Sequence, residues 1–154
     1  MSEFELAFQH VAGTPAPDTA QVQRWLAPVL DAHGRGGELT VRIVDEDESR
    51  ALNHAYRGRD KPTNVLSFPC ELPPGLPPEA AEILGDLVLC APVVAQEARE
   101  QGKPEADHWA HMVVHGALHL LGYDHEEPAQ AERMEAEERR LLAALGVPDP
   151  YLER

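Results

Sequence analysis

Two periodicities alternate along the chain. Phe4, Leu6 and Phe8 take every second place between polar neighbours, which predicts a strand, and Gly13-Thr-Pro-Ala-Pro17 breaks it. From Asp18 the apolar spacing lengthens: Val22, Trp25, Leu26, Val29 and Leu30 share one helical face, with Asp18 or Thr19 as cap and Gly34 as stop. Trp25 on that face reads as core. Leu39-Thr-Val-Arg-Ile-Val44 alternates again, is rich in β-branched residues and predicts a second strand. Leu52, Ala55 and Tyr56 then give a short helix its apolar face; Asp45 or Asp47 suits its start, and Gly58 its end just after Arg57. Residues 64–68, between Pro62 and Pro69, predict a short edge strand. Pro69, Pro73, Pro74, Pro77 and Pro78 then exclude a regular element as far as Ile83. A strand returns over 85–89, and residues 92–101 are helical in pattern up to Gly102, with Pro104 opening the next helix. A last helix starts near Pro128, carries Arg139 and Arg140 late and stops at Gly146 and Pro148; its charge run reads as a solvated face. The order is strand, helix, strand, helix, two strands and three helices, an α+β chain with a small mixed β-sheet packed by helices.

The helix after Pro104 differs from the others. No Asp, Glu, Lys or Arg occurs from 109 to 123. At roughly 100° per residue, His108, His111, His115 and His119 project along one line. Trp109, Met112, Val113, Val114, Ala117, Leu118, Leu120 and Leu121 cover nearly all the rest. A helix apolar all round is buried, and buried polar groups are costly unless paired, so the histidine line needs partners; a metal ion is the simplest one. His115 and His119 stand one turn apart, so two imidazoles can reach one ion. Gly122 can adopt the left-handed conformation that ends a helix and brings His125 back from another direction. Three nitrogens on zinc leave a fourth position open, as in catalytic sites. The spacing is that of the metzincin peptidases, whose glutamate base follows the first histidine. Gly116 stands there instead, so the ligand frame is present and the peptidase base is absent. The expectation is a buried metal-bearing helix reminiscent of zincins.

Composition narrows the class. A chain of 154 residues with 43% hydrophobic residues suits one core, so 1–154 reads as a single domain. No run reaches the ~20 apolar residues of a membrane span, and the N-terminus has no signal-like segment, which predicts a soluble, unexported chain. Cys70 and Cys90 form no disulfide framework and suit a reducing cytoplasm. A formal charge of −14 argues against diffuse binding to nucleic acid. A local site remains open, because Arg42, Arg50, Arg57, Arg59 and Lys61 cluster. No glycine-rich nucleotide loop and no Gly-x-Ser-x-Gly elbow occurs.

Three segments carry a resemblance. They are His108-Trp-Ala-His111-Met-Val-Val running into the His115 to His125 motif, Leu52-Asn-His-Ala-Tyr-Arg57-Gly-Arg-Asp-Lys-Pro-Thr-Asn-Val-Leu-Ser-Phe-Pro69, and Leu84-Gly-Asp-Leu-Val-Leu89. Together they closely resemble the YbeY family of bacterial rRNA maturation factors and endoribonucleases, over residues 38 to 151. The resemblance implies a zinc-dependent single-strand endoribonuclease with one Zn2+ per chain on His115, His119 and His125. It implies that Arg57 and His115 are catalytic, with Arg57, Arg59 and Lys61 contacting substrate. The implied substrate is RNA, chiefly precursor small-subunit rRNA, in 16S 3′-end maturation and in ribosome biogenesis and quality control. The implied partners are the ribosomal small subunit and assembly factors in the cytoplasm, with neither membrane nor DNA. Asn64 stands where many members carry Asp.

The chemistry is consistent with that expectation. Zinc acts as a Lewis acid on a phosphoryl oxygen and lowers the pKa of bound water towards ~7, while a guanidinium offers phosphate a planar fork of donors. With Gly116 in place of a base, the proton acceptor stays open among metal hydroxide alone, another histidine, Asp124 and the RNA 2′-hydroxyl with its own acceptor. Two other classes compete. One is a zinc hydrolase of peptide or small amide bonds, against which Gly116 weighs; the other is a ribosome-assembly binding factor with a structural metal, against which the open coordination position weighs.

Overall fold

The computed structural model describes residues 4–70, 83–124 and 126–151. In chain order the elements are β1 (Phe4–His10), α1 (Thr19–Ala32), β2 (Gly37–Val44), α2 (Glu46–Arg57), β3 (Val65–Pro69), β4 (Ile83–Cys90), α3 (Ala91–Gln101), α4 (Glu105–Leu120) and α5 (Pro128–Ala144). This is the predicted order. Of the proline-rich excursion expected from Pro69 to Ile83, Pro69 instead closes β3, paired with Gly85 on an edge strand, and Ile83 opens β4; residues 71–82 lie outside the described residues.

The sheet runs β1-β2-β4-β3. β1 pairs parallel with β2 and β2 parallel with β4, while β3 returns antiparallel along β4. β3 is thus the edge strand predicted from Pro62 and Pro69, and Pro69 is its last residue, where an absent ladder donor is tolerated. The inner strands β2 and β4 bury Leu39, Val41, Ile43, Leu87 and Leu89. The larger core joins these residues to Trp25 and Leu26 of α1, Trp109 and Leu118 of α4, and Met134 and Leu142 of α5. Each such side chain contributes roughly 2 kcal/mol by leaving water. A smaller cluster of Val44, Leu66, Val88 and Cys90 lies under Leu52 of α2 and Val93 of α3.

Local signals explain several of the helix ends. Asp18 caps α1 through a reciprocal box, accepting from Gln21 N at 2.9 Å while its own N–H donates to Gln21 Oε1 at 3.1 Å. Such a cap is worth ~1 kcal/mol. Gly58 ends α2 in the left-handed conformation, φ 72°. Asp45 occupies the N-cap position of α2 but makes no capping bond. Its carboxylate instead accepts from Gly13 N at 2.8 Å and Thr14 Oγ at 3.2 Å, so a tether to the loop after β1 replaces the local cap. In α5 the late arginines do not occupy the last turn, because the helix continues to Ala144. Arg139 pairs with Glu135 and Asp149, and Arg140 with Glu137.

α4 sits at the centre, in contact with α1, α3, α5, β3 and β4. From His108 to Leu120 every residue is buried except His115 and His119, which are half-buried. The apolar surface predicted for this helix is therefore spent on the core, and two histidines alone open outward.

Candidate active site

The position of α4 over the sheet is set by Gly116. A Cβ there would lie 2.9 Å from Leu87 Cδ2 and 3.0 Å from Val65 Cγ2. Ser67 Oγ donates to the Gly116 carbonyl at 3.0 Å, pinning the helix to β3 at the same point. The residue that is a glutamate base in the peptidases therefore faces the sheet here, at an approach where even a Cβ would make Leu87 and Val65 shift.

The histidine line exists as projected, with ring centroids of His108–His111 and His111–His115 both 6.1 Å apart and His115–His119 4.7 Å apart. Its partners include acids on the neighbouring helices. His108 Nε2 meets Glu97 of α3 at 2.9 Å. Glu138 of α5 accepts from His111 Nε2 at 2.5 Å and from His115 Nδ1 at 3.0 Å. Glu138 is 0% exposed, which corrects the expectation of a solvated charge run on α5. The signal was in the sequence: Glu138 shares the helical stripe of buried Met134, Leu141 and Leu142. Burial alone pushes its carboxyl up, but the two histidine bonds outweigh burial and hold it down at about 2. Burial also lowers the His111 pKa, in spite of Glu138.

The C-terminal end of α4 orients the other ring. Gly122 N donates to His119 O at 3.1 Å and Tyr123 N to Leu118 O at 3.0 Å, the paired bonds of a Schellman stop, with Gly122 at φ 102°. Gly122 thus ends the helix as predicted, and the turn presents the Tyr123 carbonyl to His119 Nδ1 at 3.0 Å. Tyr123 is held in turn by its hydroxyl, 3.1 Å from His33 Nε2. His125 lies outside the described residues.

A carbonyl and an ionised carboxylate can only accept, so the Nδ1 atoms of His115 and His119 donate, and in the neutral rings the lone pairs are those of Nε2. Those two Nε2 atoms face each other at 3.2 Å. Two lone pairs at that separation repel unless a proton or a cation lies between them. A second set, His111, His115 and Glu138, offers ligand atoms within 4.8 Å of one another and can also hold a metal. His115 belongs to both arrangements.

Both histidines open into a cleft of ≈ 770 Å³ whose walls include Tyr56, Arg57, Arg59, Asn64, Ser67 and Asp124. The basic cluster of the sequence divides here. Arg42 is bound to Glu48 and to Gln9, and Arg50 to Asp60 at 2.7 Å, so these two serve the scaffold. Arg57, at the end of α2, and Arg59, just past Gly58, line the cleft, and Lys61 does not. Asn64 donates to both oxygens of Glu97, at 3.2 and 3.3 Å. An aspartate at 64 would face a like charge there, so the amide suits this environment.

Comparison with known proteins agrees with the geometry. The family model described as Endoribonuclease YbeY matches residues 12–146. An Endoribonuclease YbeY of Halorhodospira halophila is 86% identical over 154 residues, covering 100% of both chains. One of Alkalilimnicola ehrlichii is 62% identical over 151 residues, covering 96% of this chain and 90% of the relative. A solution structure of a Thermotoga maritima protein matches at a TM-score of 0.59 and 23% identity, over 97% of this chain and 100% of that one, and shares the fold. With the matched segment enclosing the cleft, its arginines and the histidine motif, the chain belongs to the YbeY endoribonuclease family.

Proposed function

We propose that this endoribonuclease uses one zinc ion, held by His115, His119 and His125, to cleave single-stranded regions of precursor small-subunit rRNA near the 16S 3′ end. The observation that carries the reading is the pair of Nε2 atoms facing each other at 3.2 Å in a cleft that also holds Arg57 and Arg59. Two nitrogens bound tetrahedrally to one zinc stand about 3.3 Å apart, so the donor pair fits that ion. When bound, zinc supplies a Lewis acid for a phosphoryl oxygen and acidifies water.

The protein's own groups supply the rest. The Arg57 guanidinium keeps its charge and offers a planar fork, which holds the scissile phosphate and stabilises charge developing on its oxygens. Arg59 extends the positive wall along the RNA backbone, and Lys61, outside the cleft, engages the flanking chain. The Tyr123 carbonyl holds the His119 ring in its orientation. With a net charge of −14 the molecule repels a polyanion overall, so docking is confined to this local group of cations, Arg57 and Arg59 in the cleft and Lys61 beside it. Such a division suits recognition aided by a partner, here the ribosomal small subunit with its assembly factors, in the cytoplasm. A peptidase reading is disfavoured by Gly116, which lacks the carboxylate and sits where a Cβ would crowd Leu87 and Val65.

The test is single-turnover cleavage of an RNA spanning the 3′ end of small-subunit rRNA, with a denatured protein as the second substrate. Zinc-loaded wild type cleaves the RNA and leaves the protein intact. Arg57→Ala keeps fold and zinc but slows cleavage ~100-fold or more. A folded, zinc-loaded Arg57→Ala protein cutting at the wild-type rate removes Arg57 from the mechanism and shifts weight to a structural metal.

A further inference from the structure

Glu138 is not among the residues of the cleft wall, yet it touches the histidine line directly. It is wholly buried and takes three donors: His111 Nε2 at 2.5 Å, His115 Nδ1 at 3.0 Å and the Tyr151 hydroxyl at 2.7 Å. The Tyr151 ring packs edge-on against His111 at 5.5 Å between centroids, with the Arg139 guanidinium 5.4 Å above it. The segment after α5 thus folds back onto the carboxylate. We infer that Glu138 is a positioning residue: its Oε1 holds the proton of His115 on Nδ1 and so keeps the Nε2 lone pair turned toward His119.

Four observations support a role beyond filling space. First, the two oxygens are divided, Oε1 serving His115 while Oε2 serves His111 and Tyr151, so the carboxylate cannot rotate without breaking bonds on both sides. Second, His111 Nδ1 is buried with no hydrogen-bond partner. A neutral ring that donates through Nε2 leaves only a lone pair there, which is the less costly orphan, and this agrees with the lowered pKa of His111. His111 is therefore a donor that steadies Glu138. Third, the bonds that hold the Nδ1 atoms of His115 and His119 come from different parts of the fold, Glu138 of α5 and the Tyr123 carbonyl of the α4 stop, and both place the proton on Nδ1. Fourth, a hydrogen bond from the far nitrogen to a carboxylate fixes the tautomer of a ligating histidine and raises its basicity. Both oxygens of Glu138 are engaged by ring nitrogens and the Tyr151 hydroxyl, so the carboxylate is placed to orient His115 through Nδ1 while Nε2 faces His119. The inference rests on an ion lying against the Nε2 atoms, as proposed above.

Two measurements test it: zinc affinity by chelator competition, and the nitrogen-15 spectrum of His115 in metal-free protein at alkaline pH. Wild type is expected to bind zinc and to show His115 protonated on Nδ1. Glu138→Gln, which presents an amide in place of a purely accepting carboxylate, is expected to bind zinc ~10- to 100-fold more weakly, with His115 mixed between tautomers. Glu138→Asp keeps an accepting charge and is expected to recover part of both. A wild-type His115 protonated on Nε2 overturns the inference without any variant. So does a folded Glu138→Gln protein with wild-type zinc affinity, or one with weaker zinc and an unchanged tautomer. Loss of zinc in His111→Gln with full retention in His119→Ala would make Glu138 a ligand and overturn it equally. Wild type taking up no zinc at all defeats the proposed function itself, and is distinguishable from every failure of Glu138.

Discussion

Gly116→Ala sets two effects against each other, and the structure decides the sign. Glycine inside a helix is worse than alanine by ~0.8–1 kcal/mol, so propensity alone predicts that the substitution stabilises α4. The added methyl would enter at 2.9 Å from Leu87 Cδ2 and 3.0 Å from Val65 Cγ2, with Ser67 Oγ at 3.4 Å. Leu87 is 0% exposed, so its terminal methyl cannot swing into solvent, and Val65 is β-branched and stiff at χ1. Overpacking of this kind costs roughly 1–3 kcal/mol. The net expectation is a loss of about 1 kcal/mol, or a fall in Tm of roughly 3 °C for a chain of this size. Urea unfolding of the zinc-free protein measures it without a contribution from bound ligand. A double-mutant cycle with Val65→Ala, which removes the opposing methyls, is expected to recover at least ~0.5 kcal/mol relative to additivity. A Gly116→Ala protein more stable than wild type by about 1 kcal/mol would refute the close-approach argument and, with it, the packing reason for the missing base.

Three further outcomes follow from the same structure. His119→Ala should lose tightly held zinc by elemental analysis; a full equivalent retained would break the ligand assignment. Removing zinc from the wild type should lower Tm, because a ligand bound only by the folded state stabilises it, so an unchanged melting curve after complete chelation would contradict the site. The carboxyl of Asp45 is held below its usual range, chiefly by the Gly13 N–H, with Thr14 assisting. Its contribution is therefore complete above the unfolded pKa of ~3.9 and lost as pH falls through the lower folded value. The stability gap between wild type and Asp45→Ala should accordingly be constant near neutrality and shrink in acid, as denaturation across pH would record.

Much of the fold was legible because its signals are local. Strand and helix periods, the Asp18 cap and the Gly58, Gly102 and Gly122 stops act over one or two turns of chain, so the sequence alone yields the order of elements, the buried helix and the histidine line. The same holds for Arg57, whose place at a helix end follows from Tyr56 before it and Gly58 after it. What the line is paired with depends on partners far away in the chain. Glu138 lies 23 residues from His115 and 27 from His111, and only the packing of α5 on α4 brings it there. Packing also chose among the basic residues, giving Arg42 and Arg50 to ion pairs with Glu48 and Asp60 and turning Arg57 and Arg59 into the cleft. The replacement of a glutamate by Gly116 is visible in the sequence as a missing base. The close packing that disfavours a side chain there belongs to the tertiary structure, because only the folded chain brings Leu87 and Val65 within 3.0 Å of a Cβ at that position.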